Sequence, residues 1–340
     1  MAPRDNEVVE MKLTILGAGN LGTTLAIVLG EKGHHLTLWT VEEEVYRSVL
    51  KYRENKRYVP GVRIPSKVGI TMELEEALEG TDVVVIALPS HVVREVMKKA
   101  SAHLPKGCMV VDFAKGLEVE TELRMSEVIK EELPRGHGIG VVAVSGPSIA
   151  RELLQKMPTA VEVSSEDMKL AFEAKEILET PYFHLHPNDD IAGVELGGVF
   201  KNVFAIGAGI CDGLGMGSNT KAAVVTRSIG ELAALGTALG ARPETFYGLS
   251  GLGDLIVTSF SPHSRNRRFG EKLGRGKTPE EARTEIGQVV EGIRATLVAK
   301  RVAAEKALSL PIVETLYGVI YEGQSVHEAL NKFLRWTNLV

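Results

Sequence analysis

The sequence predicts an α/β chain in two parts, a mostly parallel sheet with helices followed by an all-helical region. Three observations support this prediction. Between residues 12 and 188, short apolar runs alternate with segments of helical periodicity. After this stretch nearly every segment has the helical period. A glycine-rich turn follows the first apolar run directly. We therefore place the domain boundary at this change and divide the chain into residues 11–188 and 189–340.

The predicted strands of the first part are short and rich in β-branched residues. Residues 82–88 (DVVVIAL) form a continuous apolar run, which is typical of a strand buried on both faces. Between the predicted strands at 12–16 and 35–39, segment 20–31 has helical periodicity, and Gly33 marks its end. Such alternation implies right-handed crossovers and a mostly parallel sheet. The other predicted strands are 12–16, 35–39, 109–113, 139–144, 159–164 and 182–186.

The second part is predicted to be helical throughout. Several of its segments are bounded by Gly or Pro, as helix ends often are. Gly207 and Gly209 lie within the first predicted helix, where two small residues favour close packing against another helix. The predicted helices are 190–210, 220–239, 264–273, 279–286, 291–307, 312–321 and 326–336.

Composition excludes several classes of protein. A length of 340 residues is more than one small core needs and favours two domains. The net charge of -5 provides no global basic field, so we expect no nucleic-acid partner. No apolar run is judged long enough to cross a membrane, and residues 1–10 resemble neither a signal peptide nor a transit peptide. Cys108 and Cys211 match no metal-ligand spacing. We expect a cytoplasmic protein without a metal.

The glycine-rich turn predicts a dinucleotide site. It has the G-x-G-x-x-G pattern, follows a strand and opens a helix, which is the context that gives the pattern meaning. The first glycine permits the tight turn, the second lets the backbone approach a pyrophosphate, and the third permits close packing of helix and sheet. The helix N-terminus then directs free N–H groups at the phosphates. The candidate cofactor residues of this Rossmann-like turn are Gly17, Gly19, Asn20, Leu21 and Gly22. The alternative is a glycine turn that binds no ligand.

The choice between NAD and NADP depends on the end of the second strand. An acid about 20 residues after the turn would bind the adenosine ribose, and the Glu42-Glu43-Glu44 run is in place for this. These acids could equally be the first turn of a surface helix. Thr40 and Val41 offer no cation for a 2'-phosphate. We therefore expect NAD, with NADP use open because Arg47 could reach back.

Three loops follow predicted strands and carry polar residues. Ligands of an open parallel sheet bind beyond the carboxyl ends of its strands. Pro89-Ser90-His91 follows the strand at 82–88, and Lys115-Gly116 follows the strand at 109–113. A third loop, 145–148 (SGPS), follows the strand at 139–144. Lys115 is thus a candidate for the mouth of a cleft, and the alternative is a solvated surface lysine.

Lys201 lies in an apolar stretch of the first predicted helix of the second part. A buried cation is costly unless it is paired or used, and desolvation lowers the pKa of a lysine, which suits a proton donor near neutral pH. Gly197, one turn earlier on the same face, would leave room for a ligand. Such a lysine could also extend its ammonium group to solvent. Asp254 in GLGDL is another isolated charge and could orient Lys201 or cap a helix.

A basic run at a predicted helix start favours a phosphate. Ser264, Arg265 and Asn266 offer a hydroxyl, a forked donor and an amide within the run SRNRR. The alternative is a solvated basic face.

Together these motifs resemble the NAD(P)-dependent glycerol-3-phosphate dehydrogenases of the soluble bacterial type. The resemblance covers residues 12–328, and its most specific segments are 195–203 (ELGGVFKNV), 251–255 (GLGDL), 264–270 (SRNRRFG) and 287–292 (GQVVEG). It implies a Rossmann-like domain, an all-helical domain and a cleft between them. It also implies hydride transfer between NAD(P)H and dihydroxyacetone phosphate, giving sn-glycerol 3-phosphate for phospholipid synthesis.

The resemblance also implies roles for individual residues. Lys201 matches the general acid, Lys115 a lysine that contacts substrate and cofactor, and Asp254 the carboxylate beside the catalytic lysine. Further cofactor contacts match Ala150, Arg265, Val289 and Glu291, beside Asn20 and Leu21. Further substrate contacts match Gly146, Ser148, Asn202, Ser264, Arg265 and Asn266. Val41 stands where many members have a basic residue, which puts NADP use in doubt. We expect a homodimer.

Two other functions fit part of the pattern. A dehydrogenase of a β-hydroxy acid would share the first domain and an interior lysine, although a carboxylate needs fewer donors than the run at 264–268 offers. A non-catalytic NADH-binding redox sensor would give Lys201 and Asp254 no reason to lie in apolar segments. The chemistry of a glycerol-3-phosphate dehydrogenase needs no metal, since Lys201 can replace a Lewis acid.

Overall fold

The computed structural model describes residues 10–336 and contains an eight-stranded sheet with the order β3-β2-β1-β4-β5-β6-β7-β8. All neighbouring strands are parallel except β6 and β7, which are antiparallel. The predicted mostly parallel sheet is confirmed. The strands are β1 (Lys12–Leu16), β2 (His35–Trp39), β3 (Val68–Thr71), β4 (Val83–Ile86), β5 (Met109–Asp112), β6 (Gly140–Ser145), β7 (Thr159–Ser164) and β8 (Phe183–Asn188).

Both faces of the sheet are covered, which explains the continuous apolar strands. In β4, Val83 and Val85 belong to one buried cluster while Val84 and Ile86 belong to another. A strand with a core on each side can have no polar face. The helices of this part are α1 (Asn20–Lys32), α2 (Glu43–Tyr52), α3 (Leu74–Leu78), α4 (Val93–Ala100), α5 (Met125–Glu132), α6 (Ala150–Leu154) and α7 (Met168–Leu178).

The described chain after the sheet is helical, as predicted. Its first helix, α8, is buried along most of its length. The helices are α8 (Ile191–Gly213), α9 (Ser218–Ala238), α10 (Asp254–Phe260), α11 (Arg265–Gly274), α12 (Pro279–Ile286), α13 (Glu291–Glu305), α14 (Pro311–Tyr321) and α15 (Val326–Trp336). A π-helical turn, Leu249–Gly253, leads directly into α10.

Glycines let the backbones of α8 and α11 touch, which confirms the prediction for Gly209 but not for Gly207. A Cβ atom on Gly209 would lie 1.9 Å from the carbonyl oxygen of Arg267. A Cβ atom on Gly270 would lie 1.9 Å from the carbonyl oxygen of Ile206. Only glycine permits backbone contact at both points. The start of α11 is thereby fixed against α8, the helix that carries Lys201.

One expectation about apolar runs was wrong. Within the described chain, α8 is long and apolar enough to cross a membrane, with a mean hydropathy of 1.4 over its most apolar window. However, 89% of that window is buried inside the protein. Its apolar character is therefore that of a core helix.

Further differences concern the bounds of one strand and two elements that were not predicted. The strand predicted at 82–88 is limited to Val83–Ile86. The strand β3 was not predicted, because four residues with a glycine give little periodicity. The helix α10 was also missed, since glycines at 251 and 253 precede it. The predicted leader at residues 1–10 lies almost entirely outside the described residues.

Candidate active site

The site is built around one buried carboxylate that two lysines share. Asp254 is 2% exposed and begins α10. The Lys201 ammonium group lies 2.7 Å from Asp254 Oδ1, and the Lys115 ammonium group lies 2.7 Å from Oδ2. Lys115 comes from the loop after β5 and Lys201 from the middle of α8. The two parts of the chain thus meet at this carboxylate.

Lys201 is held in the core and does not extend to solvent. It is 6% exposed, and its ammonium group also donates to Thr258 Oγ1 at 2.6 Å. Burial lowers the pKa of Lys201 to about 8, against the opposing effect of Asp254. A lysine with this pKa loses and regains its proton near neutral pH. This is the behaviour required of a general acid.

Asp254 stays ionised despite its burial. Burial alone would raise the pKa of its carboxyl group, but the ammonium groups of Lys115 and Lys201 outweigh this and lower the pKa below its usual range. The alternative role as a helix N-cap is wrong, because Asp254 lies inside the helix and Gly253 occupies the cap position. Its carboxylate positions the two lysines and balances their positive charge.

Lys115 is held at two points and is not a solvated surface lysine. Besides Asp254, its ammonium group donates to the carbonyl oxygen of Gly146 at 2.9 Å. The Ser148 hydroxyl donates to the same carbonyl oxygen at 3.1 Å. The loops after β5 and β6 therefore converge, as the rule for parallel sheets predicts.

Gly197 does not leave room for a ligand. A Cβ atom there would lie 2.8 Å from the carbonyl oxygen of Ser250, so the space is filled by the π-helical turn before α10. The expectation for Gly197 was wrong. The glycine instead lets this turn approach α8, which brings Asp254 within reach of Lys201.

Asn202 and Asn266 link the candidate phosphate site to α8. The amide of Asn266 donates to Asn202 Oδ1 at 2.7 Å, and Asn266 Oδ1 accepts from the backbone N–H of Gly292 at 2.9 Å. Ser264 is the N-cap of α11, and its hydroxyl accepts from the backbone N–H of Arg267 at 3.2 Å. Arg265 is the first residue of this helix and is exposed. A helix N-terminus with an arginine suits an anion.

The glycine-rich turn has the geometry of a dinucleotide site. Gly17 has φ of +110°, which a side chain would strain, and a Cβ atom there would lie 2.6 Å from the carbonyl oxygen of Ala87. A Cβ atom on Gly22 would collide with the carbonyl oxygen of Gly17 at 1.8 Å. Gly19, by contrast, has no atom within 4 Å of its Cβ position. The backbone is therefore open at the glycine that should face a pyrophosphate, ahead of the exposed Asn20 and half-buried Leu21 at the start of α1.

A continuous set of contacts joins this turn to the lysines. Gly17 packs on the end of β4, and three residues after Ala87 the Ser90 hydroxyl donates to Glu291 Oε2 at 3.1 Å. Gly116 packs directly on Ser90. Glu291 begins α13, after the half-buried Val289, while Ala150 begins α6 next to the loop at 145–148. Ser90 and Glu291 thus join the loop after β4 to the start of α13.

Several residues of the site were not predicted. Thr258 lies four residues after Asp254, a helical spacing that could have revealed it. Glu195 of α8 accepts hydrogen bonds from Arg124 Nη1 at 2.6 Å and from the Ser126 hydroxyl at 2.6 Å. Glu162 of β7 accepts the backbone N–H of Ser250 at 2.9 Å. Glu195 thus fixes the start of α5 to α8, and Glu162 fixes β7 to the π-helical turn.

The comparisons with known proteins identify the family. Residues 12–171 match the family described as NAD-dependent glycerol-3-phosphate dehydrogenase N-terminus, and residues 190–331 match the corresponding C-terminus. The chain belongs to this family. The predicted resemblance is thereby confirmed.

Glycerol-3-phosphate dehydrogenases of other organisms share most of this chain. The glycerol-3-phosphate dehydrogenase (NAD(P)+) of Pelotomaculum thermopropionicum is 44% identical over 323 residues, covering 95% of this chain and 93% of its own. That of a Thermoanaerobacter species is 46% identical over 320 residues, covering 94% of this chain and 96% of its own. The crystal structure of the Coxiella burnetii glycerol-3-phosphate dehydrogenase superimposes with a TM-score of 0.90 at 35% identity, covering 96% of this chain and 99% of that one.

Proposed function

We propose that this glycerol-3-phosphate dehydrogenase reversibly reduces dihydroxyacetone phosphate to sn-glycerol 3-phosphate with NAD(P)H, with Lys201 as the general acid and base. The observation that carries the proposal is the buried carboxylate of Asp254, which the buried Lys201 and the half-buried Lys115 share. Family membership supports the reaction. Supply of glycerol 3-phosphate for phospholipid synthesis is the corresponding role.

Lys201 delivers the proton that the reduced ketone needs. The nicotinamide ring supplies the hydride when the dinucleotide is bound. Hydride addition places negative charge on the ketone oxygen, and a nearby ammonium group stabilises that charge more in the transition state than in the ground state. Lys201, with its pKa of about 8, can transfer a proton to this oxygen. In the reverse direction it accepts the proton from the alcohol.

Lys115 and Asp254 set the electrostatics of this step. Asp254 holds the Lys201 ammonium group on one oxygen and the Lys115 ammonium group on the other, so both cations lie beside one carboxylate. We assign Lys115 to contact both the substrate and the cofactor, with Gly146 and Ser148 forming the adjacent wall. Fixed cations of this kind need no reorganisation when charge develops.

The start of α11 is proposed to hold the substrate phosphate. Ser264, Arg265 and Asn266 supply a hydroxyl, a guanidinium group and an amide next to the free N–H groups of the helix. Asn202 accepts a hydrogen bond from Asn266 through its Oδ1 and so links this donor set to α8, the helix that carries Lys201. Binding energy from the phosphate would then orient the ketone carbon.

The dinucleotide is proposed to lie across the carboxyl ends of the strands, from the glycine turn after β1 to Lys115 after β5. Residues 11–188 would act as the dinucleotide-binding domain and residues 189–340 as the substrate and catalytic domain. We assign the pyrophosphate to the turn and the remaining contacts to both domains. The assigned residues are Gly17, Gly19, Asn20, Leu21, Gly22, Lys115, Ala150, Arg265, Val289 and Glu291.

A homodimer in the cytoplasm is a further part of the proposal. Ile256 and Phe260 lie one turn apart on α10 and expose 44% and 48% of their surface, which supports a partner on this face. Light scattering of the purified chain tests the dimer. A monomer at all concentrations would contradict it.

The direct test of the function is oxidation of NADH with dihydroxyacetone phosphate, followed spectrophotometrically and repeated with NADPH. Turnover that disappears when Lys201 is replaced by alanine would support the proposal. Turnover of 3-hydroxy acids in place of the phosphorylated ketone would favour a β-hydroxy acid dehydrogenase. Binding of NADH without turnover of any phosphorylated ketone would favour a redox sensor.

A further inference from the structure

The loop between α2 and β3 is fastened to the glycine-rich turn. Asn55 is fully buried in this loop, and its amide donates to the carbonyl oxygen of Ala18 at 2.8 Å and to the Thr23 hydroxyl at 2.8 Å. Both acceptors belong to the turn or to the first part of α1. A buried side chain with two such bonds holds its loop in a fixed position. The residues that follow Asn55 therefore have a fixed place at the dinucleotide site.

Two of these residues contact the acid that follows β2. The backbone N–H of Tyr58 donates to Asn55 Oδ1 at 3.2 Å, and the Tyr58 hydroxyl donates to Glu42 Oε1 at 2.9 Å. Arg57 Nη1 lies 3.0 Å from Glu42 Oε2 and 3.2 Å from Glu44 Oε2. A guanidinium group thus lies at the carboxyl end of β2. The sequence did not reveal it, because Arg57 is far along the chain from Thr40 and Val41.

This position is the adenosine end of a Rossmann-like site. An acid about 20 residues after the turn binds the ribose 2'-hydroxyl of NAD, and a nearby arginine accommodates the 2'-phosphate of NADP. Glu42 has the position of that acid. A carboxylate there accepts a hydrogen bond from the ribose hydroxyl but repels a phosphate. A chain that uses both dinucleotides therefore needs a cation that can reach the same place.

Arg57 suits this role better than the other cations nearby. Its side chain is 49% exposed, so its guanidinium group can exchange a carboxylate for a phosphate without rearrangement of the core. Arg47 pairs with Glu43 on the outer side of α2 and is 75% exposed. The ammonium group of Lys56 lies 3.6 Å from the centre of the Tyr52 ring.

We propose that Arg57 binds the adenosine 2'-phosphate of NADP(H), and that Glu42 and Glu44 compete with that phosphate for its guanidinium group. The proposal rests on the proposed function, since it concerns the cofactor of that reaction. It makes the choice between NAD and NADP a balance between Glu42, which favours the ribose hydroxyl, and Arg57, which favours the phosphate. Glu44 weakens binding of the 2'-phosphate by competing for Arg57, and it does not contact the ribose.

The test measures nucleotide binding by calorimetry, independently of turnover. Adenosine 2',5'-bisphosphate and 5'-AMP are titrated into the full chain and into Arg57→Ala, Glu44→Gln and the matched control Arg47→Ala. A charge-assisted pair with phosphate predicts a loss of about tenfold or more in affinity for the bisphosphate in Arg57→Ala, and a much smaller change for 5'-AMP. Glu44→Gln should bind the bisphosphate about threefold or more tightly than the natural chain. Arg47→Ala should behave like the natural chain.

Kinetics give a second measurement. The ratio of kcat/KM for NADPH to that for NADH should fall about tenfold in Arg57→Ala and rise in Glu44→Gln. Both changes should arise from KM for NADPH and not from kcat. Equal effects of Arg57→Ala on both nucleotides, no effect on either, or a loss in Arg47→Ala of the same size would overturn the proposal. Nucleotide binding as expected, without reduction of dihydroxyacetone phosphate by either dinucleotide, would instead count against the proposed function alone.

Discussion

Lys115 and Lys201, from different parts of the chain, bind opposite oxygens of one buried carboxylate. Each ammonium group lies 2.7 Å from Asp254. Two cations, one of them buried, would not lie beside each other without an anion between them, because their mutual repulsion and the desolvation of Lys201 would be unopposed. The carboxylate therefore holds both ammonium groups together, and its removal has effects on pH dependence that can be measured.

The pH dependence of reduction should report the proton on Lys201. Its pKa of about 8 predicts that kcat/KM for dihydroxyacetone phosphate is constant below this pH and falls above it, since the acid must carry its proton. Asp254 raises the pKa of Lys201, so Asp254→Asn should move the fall to lower pH. A profile that is unchanged in this variant would contradict the pairing.

Thr258→Val is the milder test of the same contact. Removal of a buried carboxylate between two lysines can cost about 3–5 kcal/mol of stability, which would compromise Asp254→Asn. Thr258→Val keeps the shape of the side chain and removes one acceptor of the Lys201 ammonium group. It should move the fall in kcat/KM in the same direction by a smaller amount.

Arg265→Ala tests the phosphate site. A hydrogen-bonded ion pair with a phosphate contributes about 1.5–3 kcal/mol, so KM for dihydroxyacetone phosphate should rise roughly 10- to 100-fold. KM for dihydroxyacetone, which lacks the phosphate, should change little. Equal increases for both ketones would remove the assignment of Arg265 to the phosphate.

The close contact of α8 and α11 predicts the effect of one added methyl group. Gly270→Ala should destabilise the protein by about 3 kcal/mol or more, because its Cβ atom would meet the Ile206 carbonyl oxygen at 1.9 Å. Gly230→Ala is the matched control, since this exposed glycine of α9 has no atom within 4 Å of its Cβ position. The control should gain about 0.5–1 kcal/mol from helix propensity. Urea denaturation of both variants provides the comparison, and equal stabilities would contradict the packing.

Glu231 should make stability depend on pH. It is buried, and its carboxylate accepts the backbone N–H groups of Ile312 and Val313 at the start of α14. Burial raises the pKa of Glu231 to about 7. The folded state then holds a proton that the unfolded state releases, so stability from this group is present below about pH 4.5 and is lost as pH rises towards 7.

The loss should amount to roughly 3 kcal/mol across this range, at about 1.4 kcal/mol for each pH unit. Glu231→Gln cannot ionise and should abolish this part of the pH dependence. Urea denaturation at several pH values between 5 and 8 measures the difference. A stability gap between the two chains that does not change with pH would contradict the assignment.

The sequence predicted those parts of the fold whose signal is local. The run at Val83–Ile86 is apolar because the strand is buried on both faces, and the turn at Gly17 has a glycine because its φ is positive. Gly209 likewise predicted close helix packing. Short segments such as Val68–Thr71 have too few residues to show a period, and they were missed.

The site was predicted in its members but not in its geometry. Lys201 stands out as a charge in an apolar helix. Its partner Asp254 was suggested for the same reason, but the bond from Lys115 to Asp254 spans 139 residues and depends on how the two parts of the chain pack. Gly197 was misinterpreted for this reason, since the neighbour that fills its space comes from the π-helical turn. Arg57 was missed because the Asn55 contact that places it is also a tertiary one.

The most direct measurement of the central claim is the turnover of Lys201→Ala together with its affinity for NADH. Loss of a general acid predicts a fall in kcat of about 10²–10⁴-fold, while the NADH dissociation constant, measured by fluorescence, stays within about threefold. Lys201→Cys treated with bromoethylamine regains a primary amine and should recover turnover, with treated natural protein as the control. Turnover of Lys201→Ala within about threefold of the natural chain would contradict the account, because a different group would then have to supply the proton.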